Sequence, residues 1–152
     1  KGRAMPNVRV IHGPNLNMLG VREPEVYGHT ALEDLNGQLE ARARELGLDI
    51  EITQSNCEGE IVTQVQACRG RFDVLIINPG GLTHTSVCVR DAIAACGVPA
   101  IECHISNIYG REEFRRHSLV ADVCAGQISG FGTDSYLIAL DAAARVCRRG
   151  RA

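Results

Sequence analysis

The apolar and polar positions of this chain repeat with two alternating periods. NVRVIH (7–12) reads as a short strand, followed by GPNLNMLGVREPEVYG (13–28), a polar stretch with no period. Leu32, Leu35, Leu39, Ala43 and Leu46 then recur at helical spacing, with Thr30 and Glu33 in capping-box register ahead of them and Gly47 as a stop. Asn36-Gly37 is a weak point in that helix. LDIEITQ (48–54) alternates like a strand. Ser55 and Glu58 repeat the cap signature before a second helix marked by Ile61, Val65 and Cys68, which Gly70 ends.

DVLIIN (73–78) is a continuous apolar run, the pattern of a central parallel strand covered on both faces. PGGLTH reads as a loop, residues 85–96 as a helix and PAIECH (99–104) as a fourth strand running into the polar segment ISNIYGREEFRRHS. DVCAGQIS is a weaker fifth strand. A closing helix carries Tyr136, Leu137, Leu140 and Ala144 and ends in a basic, solvated tail. Strands and helices alternating at these lengths predict an α/β fold, a flavodoxin-like doubly wound five-stranded parallel sheet in a single domain. The domain is expected over 5–152, with residues 1–4 a non-native leader before Met5. In such sheets ligands bind beyond the carboxyl ends of the strands, where the polar segments after strands one, three and four belong.

Composition narrows the chemistry. A length of 152 residues with 45% hydrophobic positions suits one core, and a formal charge of −2 gives no bulk attraction for a nucleic-acid backbone. No apolar run approaches the ~20 residues of a membrane span, and the first residues lack a signal-peptide core, so a cytoplasmic protein is expected. Seven cysteines without a C-x-x-C pair argue against a disulfide framework and a thiolate zinc site. Lys1 is the only lysine. Schiff-base, pyridoxal-phosphate and P-loop chemistry each need a positioned lysine, which a terminal residue does not supply. The histidines show no metal-ligand spacing. Gly130 and Gly132 open like a dinucleotide fingerprint, but Ser135 stands third and no strand-turn-helix context supports it.

An acid/base set remains. The three polar segments carry Asn15, Arg22 and Tyr27, then Asn78 and His84, then His104, Ser106, Arg111 and Arg115. Ionising a tyrosine at pH 7 costs about 4 kcal/mol. An arginine within about 4 Å returns on the order of 4 kcal/mol at an effective dielectric near 20, before desolvation. Arg22 could therefore make Tyr27 a usable base. Glu102, two residues before His104, lies on the same strand face and could orient the imidazole and keep it protonated. On spacing alone plainer readings stand beside these: Tyr27 packing its loop, His104 a satisfied strand-end histidine, residues 111–116 a charged face, Asn78 a turn cap.

Four blocks in this order, GPNLNMLGVREPEVYG, QSNCEGEIV, INPGGLTHTSVCVRDAI and ECHISNIYGREEFRRHS, resemble type II 3-dehydroquinate dehydratase (type II dehydroquinase) across nearly the whole domain, from about Val8 to Leu140. The resemblance implies trans elimination of water from 3-dehydroquinate to give 3-dehydroshikimate through an enolate, in the shikimate pathway, with no cofactor or metal. It implies Tyr27 as the base taking the C2 proton with Arg22 lowering its pKa, His104 as the acid at the C1 hydroxyl and Glu102 as its orienting partner. Asn15 would hold a water against the enolate oxygen. Asn78, His84 and Arg115 would contact substrate hydroxyls, and the amides of Ile105 and Ser106 the carboxylate. Arg111 would support the site and Asp91 reach that of a neighbouring subunit, in a homo-oligomer, a dodecamer built from trimers. The chain departs from the family pattern at His12, where Asn is usual, at Cys57 and at Asp134-Ser135. The alternative is a non-catalytic flavodoxin-like domain sensing a shikimate-pathway acid, whose function would survive loss of the Tyr27 hydroxyl.

Overall fold

A computed structural model describes residues 4–21, 23–27 and 29–150. Its strands are β1 (Asn7–His12), β2 (Asp49–Gln54), β3 (Val74–Asn78), β4 (Ala100–His104) and β5 (Gly126–Ser129). The helices are α1 (Pro24–Tyr27), α2 (Leu32–Leu46), α3 (Glu58–Gln66), α4 (Val87–Cys96) and α5 (Asp134–Arg149). All strand pairs are parallel and the order is β2-β1-β3-β4-β5, the flavodoxin-like arrangement expected from the alternating pattern. Among the described residues no helix is long and apolar enough to cross a membrane.

The continuous apolar runs become the central strands because both faces of the sheet are covered. Val8, Val10, Val74, Ile76, Ile101 and Cys103 point to one face, where Leu35, Leu39 and Ala43 of α2 and Tyr136, Leu140 and Ala144 of α5 pack. Ile11, Leu75 and Ile77 point to the other, against Ile61 and Val65 of α3 and Val89 and Ile93 of α4. Each such aliphatic side chain contributes roughly 1.5–3 kcal/mol by leaving water. On β1, β3 and β4 the polar residues that interrupt this pattern fall mostly at the carboxyl ends: His12, Asn78, Glu102 and His104, all buried.

Local details differ from the expectations at five places. Thr30 does not cap α2; Ala31 occupies that position with no side-chain bond, and helix hydrogen bonding begins with Leu35 N–H to Ala31 C=O. Ser55 likewise is not the cap of α3, whose N-cap is Cys57; its hydroxyl accepts from the Cys57 N–H and donates to Glu60, tying the turn before the helix. The fourth helix starts at Val87 because the Ser86 hydroxyl accepts from the Val89 N–H, while residues before it form a 3-10 turn, Gly80–His84. Only Gly126–Ser129 of the expected fifth strand pairs with β4, since Ala121–Val123 close a 3-10 turn. A strand-turn-helix unit does connect β5 to α5 through Gly130 and Gly132, contrary to expectation, but Ser135 is buried there with its hydroxyl accepting from the Phe131 N–H.

Candidate active site

The segments after β1, β3 and β4 meet over the carboxyl edge of the sheet around a cleft of about 200 Å³. Gly13 and Gly80 allow the first two to touch. The Gly13 N–H donates to the Asn78 carbonyl at 2.7 Å, and Gly80 takes a positive φ of 59° against the Pro14 carbonyl. Asn15 follows in a left-handed conformation, φ 69°, tolerated by Asn, with its N–H donating to Asn56 Oδ1. The cleft is lined by Asn15, Asn78, His84, His104, Ile105, Ser106, Arg111 and Arg115, with an apolar wall that includes Leu16, Leu19 and Ile108.

At the end of β4, Glu102 Oε1 lies 2.6 Å from His104 Nε2, the contact expected from their shared strand face. Ser118 donates to the same carboxylate oxygen at 2.8 Å. Gln127, the register partner of Glu102 on β5, lies alongside, although Glu102 Oε2 and Gln127 Nε2 fall short of hydrogen-bond geometry. Burial opposes ionisation of Glu102, but the hydrogen bond and charge of His104, helped by Ser118 and Gln127, outweigh it and hold the carboxyl below its ordinary value. With Nε2 engaged, Nδ1 of His104 is the nitrogen free to exchange a proton with a ligand in the cleft.

His84 Nδ1 donates to the His117 carbonyl at 2.8 Å. Burial lowers its pKa, as do the nearby His104 and Arg115, with the His117 bond opposing, so the ring is neutral at pH 7 and offers Nε2 as an acceptor. Asn78 Oδ1 accepts from the Gly80 N–H at 3.1 Å, so the turn-cap role and a place in the cleft coexist in one side chain. Arg115 Nε is held by Glu112 at 2.6 Å, and Arg111 reaches the Ser106 hydroxyl and, at 3.9 Å, the Glu23 carboxylate of the first segment. Two guanidiniums, a neutral histidine, an amide and His104, backed by Glu102, thus meet at one small space. That set suits a small polyhydroxylated anion and proton transfer.

Arg22 lies outside the described residues, as does the side chain of Tyr27, whose backbone closes α1 at the end of the first segment. Asp91 is exposed on α4 and does not line this cleft. Sequence reasoning passed over Ser118 and the His117 carbonyl, which hold Glu102 and His84. Both lie within the quoted fourth block, but nothing in their spacing separated them from a charged surface. Among the described residues no group of three or more His, Cys, Asp or Glu is placed to hold a metal ion.

Fold and site together define a doubly wound α/β protein with an acid/base cleft at the carboxyl ends of its strands. Residues 6–144 match the family model described as class II dehydroquinase. The chain belongs to that family. It is 55% identical over 138 residues to a 3-dehydroquinate dehydratase of Dictyoglomus turgidum, covering 91% of this chain and 95% of the relative. It is 51% identical to catabolic 3-dehydroquinase 1 of Fusarium vanettenii, over 91% of this chain and 96% of that protein. The crystal structure of type II dehydroquinase from Butyrivibrio crossotus superposes with a TM-score of 0.91 at 40% identity, covering 93% of this chain and 99% of that one.

Proposed function

We infer that this chain is a 3-dehydroquinate dehydratase, a hydro-lyase of the type II class. The observation that carries the reading is the buried Glu102–His104 pair, 2.6 Å apart, opening on a cleft that also holds Asn78, His84 and Arg115. The relatives' names, at half identity over nearly their full length, agree with it.

In this reading Tyr27, its pKa lowered by Arg22, takes the C2 proton of 3-dehydroquinate and leaves an enolate. Asn15 holds a water against the enolate oxygen. The enolate collapses, the C1–O bond breaks, and the proton on His104 goes to the departing hydroxide, so one water leaves and 3-dehydroshikimate remains. Glu102 steadies the imidazolium before transfer. Asn78, His84 and Arg115 bind substrate hydroxyls, the amides of Ile105 and Ser106 take the carboxylate, and Arg111 braces Ser106. Asp91, exposed on α4, serves a neighbouring subunit in a dodecamer built from trimers, and the enzyme works in the cytoplasm. The base arrives on the first segment, which acts as a lid over the acid.

The test adds 3-dehydroquinate to purified protein and follows the conjugated enone by ultraviolet absorbance, with and without a chelator and borohydride. Turnover that resists both, and is lost in Tyr27→Phe, is expected. Substrate binding without turnover would overturn the reading in favour of a non-catalytic sensor.

A further inference from the structure

At the carboxyl ends of β1 and β3 a buried run of side chains leads from α2 to Asn78, and its members other than Asn78 have no part in the proposed chemistry. His12 and Asn78 are register partners on adjacent strands, so their side chains leave the same face of the sheet, the one covered by α2 and α5. Asn36 meets them from α2 and Tyr136 from the first turn of α5. His12 Nε2 stands 2.8 Å from Asn36 Oδ1, and His12 Nδ1 stands 2.8 Å from the Tyr136 hydroxyl. The Asn78 amide lies beside the same hydroxyl and opposes the rise that burial gives its pKa, while Asn78 Oδ1 accepts from the Gly80 N–H at 3.1 Å. His12 and Tyr136 have no solvent exposure.

These contacts admit one direction of donation. The Gly80 backbone N–H can only donate, so Oδ1 of Asn78 faces it and Nδ2 faces the tyrosine oxygen. The tyrosine proton then goes to a bare His12 Nδ1, and the ring's own proton sits on Nε2, directed at Asn36 Oδ1. Reversing any link sets two donors or two acceptors face to face away from water. Burial also keeps both rings uncharged at neutral pH: the His12 pKa falls to about 4, and that of Tyr136 rises well above the usual tyrosine value.

We propose that His12 and Tyr136 are positioning residues which, anchored by Asn36, lock the Asn78 amide with its second N–H aimed into the cleft. Asn78 is then a fixed donor and neutral His84 a fixed acceptor, a pair matched to a hydroxyl-bearing ligand. The inference rests on the dehydratase reading for the identity of that ligand, and on the hydrogen-bond geometry for the direction of the chain.

The experiment is a double-mutant cycle on dehydration of 3-dehydroquinate. Tyr136→Phe should raise KM about tenfold while kcat falls less than about threefold, because the lost hydroxyl frees a binding amide and no reacting group. In an Asn78→Ala background the same change should add less than about twofold to KM. An equal rise in both backgrounds overturns the proposal. Should Tyr136→Phe fold poorly, the 15N ring resonances of His12 in the unmodified protein decide: a proton on Nε2 at pH 7 supports the chain as drawn, and one on Nδ1 overturns it. A wild-type protein that turns over no substrate defeats the dehydratase reading instead, while the ring resonances still report the direction of the chain.

Discussion

Glu102 and His104 stand two residues apart on β4 with Oε1 and Nε2 separated by 2.6 Å, both buried, and His104 lines the cleft. A carboxylate in that position accepts from Nε2–H of either ring form, but its charge favours the protonated one, so removing the charge alone should act on proton transfer. In Glu102→Gln the shape is kept and the charge lost. The kcat for 3-dehydroquinate should fall about 10²-fold, within the range of general acid catalysis. KM, which in the proposed mechanism depends on Asn78, His84 and Arg115, should move little. Steady-state kinetics decide, and a kcat unchanged in the variant would remove Glu102 from the proton-transfer machinery.

His12 ties stability to pH. Its folded pKa, lowered by burial to about 4 with only the Asn36 bond opposing, lies below the ordinary 6.5 of the unfolded chain. Above pH 6.5 both states are neutral and the stabilisation is whole. As pH falls from 6.5 towards 4 the unfolded chain takes up a proton that the folded one refuses, and stability is lost. By pH 5 the loss from this group is on the order of 2 kcal/mol. The facing groups are Asn36, Tyr136 and Asn78, and Tyr136 carries no charge in this window. Urea unfolding at pH 7 and pH 5 should therefore show a smaller pH-dependent loss in His12→Asn than in the unmodified protein. Equal losses would mean His12 is not protected from protons in the fold.

The sheet was legible because its strands are buried on both faces and read as unbroken apolar runs, as DVLIIN does. The end of β4 was legible too: strand geometry alone puts Glu102 beside His104. Helix starts were not, because S/T-x-x-E spacing around Thr30 and Ser55 does not say whether the hydroxyl is spent on the helix or on a turn before it. The Asn36–His12–Tyr136–Asn78 run joins four elements over 124 residues of sequence separation between His12 and Tyr136. No local period carries such a contact, and an asparagine inside an amphipathic helix looked only like a weak helix former. The roles of Arg22 and Tyr27 rest on the motif and the family.

The junction of the first and third segments has no room for a side chain at Gly13. A Cβ there would stand 2.6 Å from the Pro79 carbonyl carbon and 2.7 Å from the Asn78 carbonyl oxygen. Both are backbone atoms, so relief requires the segments to part, with loss of the Gly13–Asn78 hydrogen bond. Gly13→Ala should cost about 1–3 kcal/mol as an overpacked site and displace Asn15 and Asn78 together. Gly81, with nothing within 4 Å of a Cβ, is the control on the same rim. Melting temperature and kcat/KM of the two variants are the readouts. If Gly13→Ala behaves like Gly81→Ala, the close approach is not maintained in solution.

Gly37 makes the opposite case. It sits exposed inside α2, where a Cβ would meet nothing within 4 Å and φ is not positive. Nothing in the structure requires a glycine there, and the unfolded chain gains from its freedom. Gly37→Ala should add about 0.5–1 kcal/mol of stability through helix propensity and a less flexible unfolded state, raising Tm by roughly 1–4 °C for a chain of this size. Its neighbour Asn36 holds His12 from the same helix, so a stiffer α2 should leave that contact and the kinetics intact. A lower Tm, or a raised KM, would mean that the backbone beside Asn36 must bend to keep the buried chain closed, and that the glycine is there for the site.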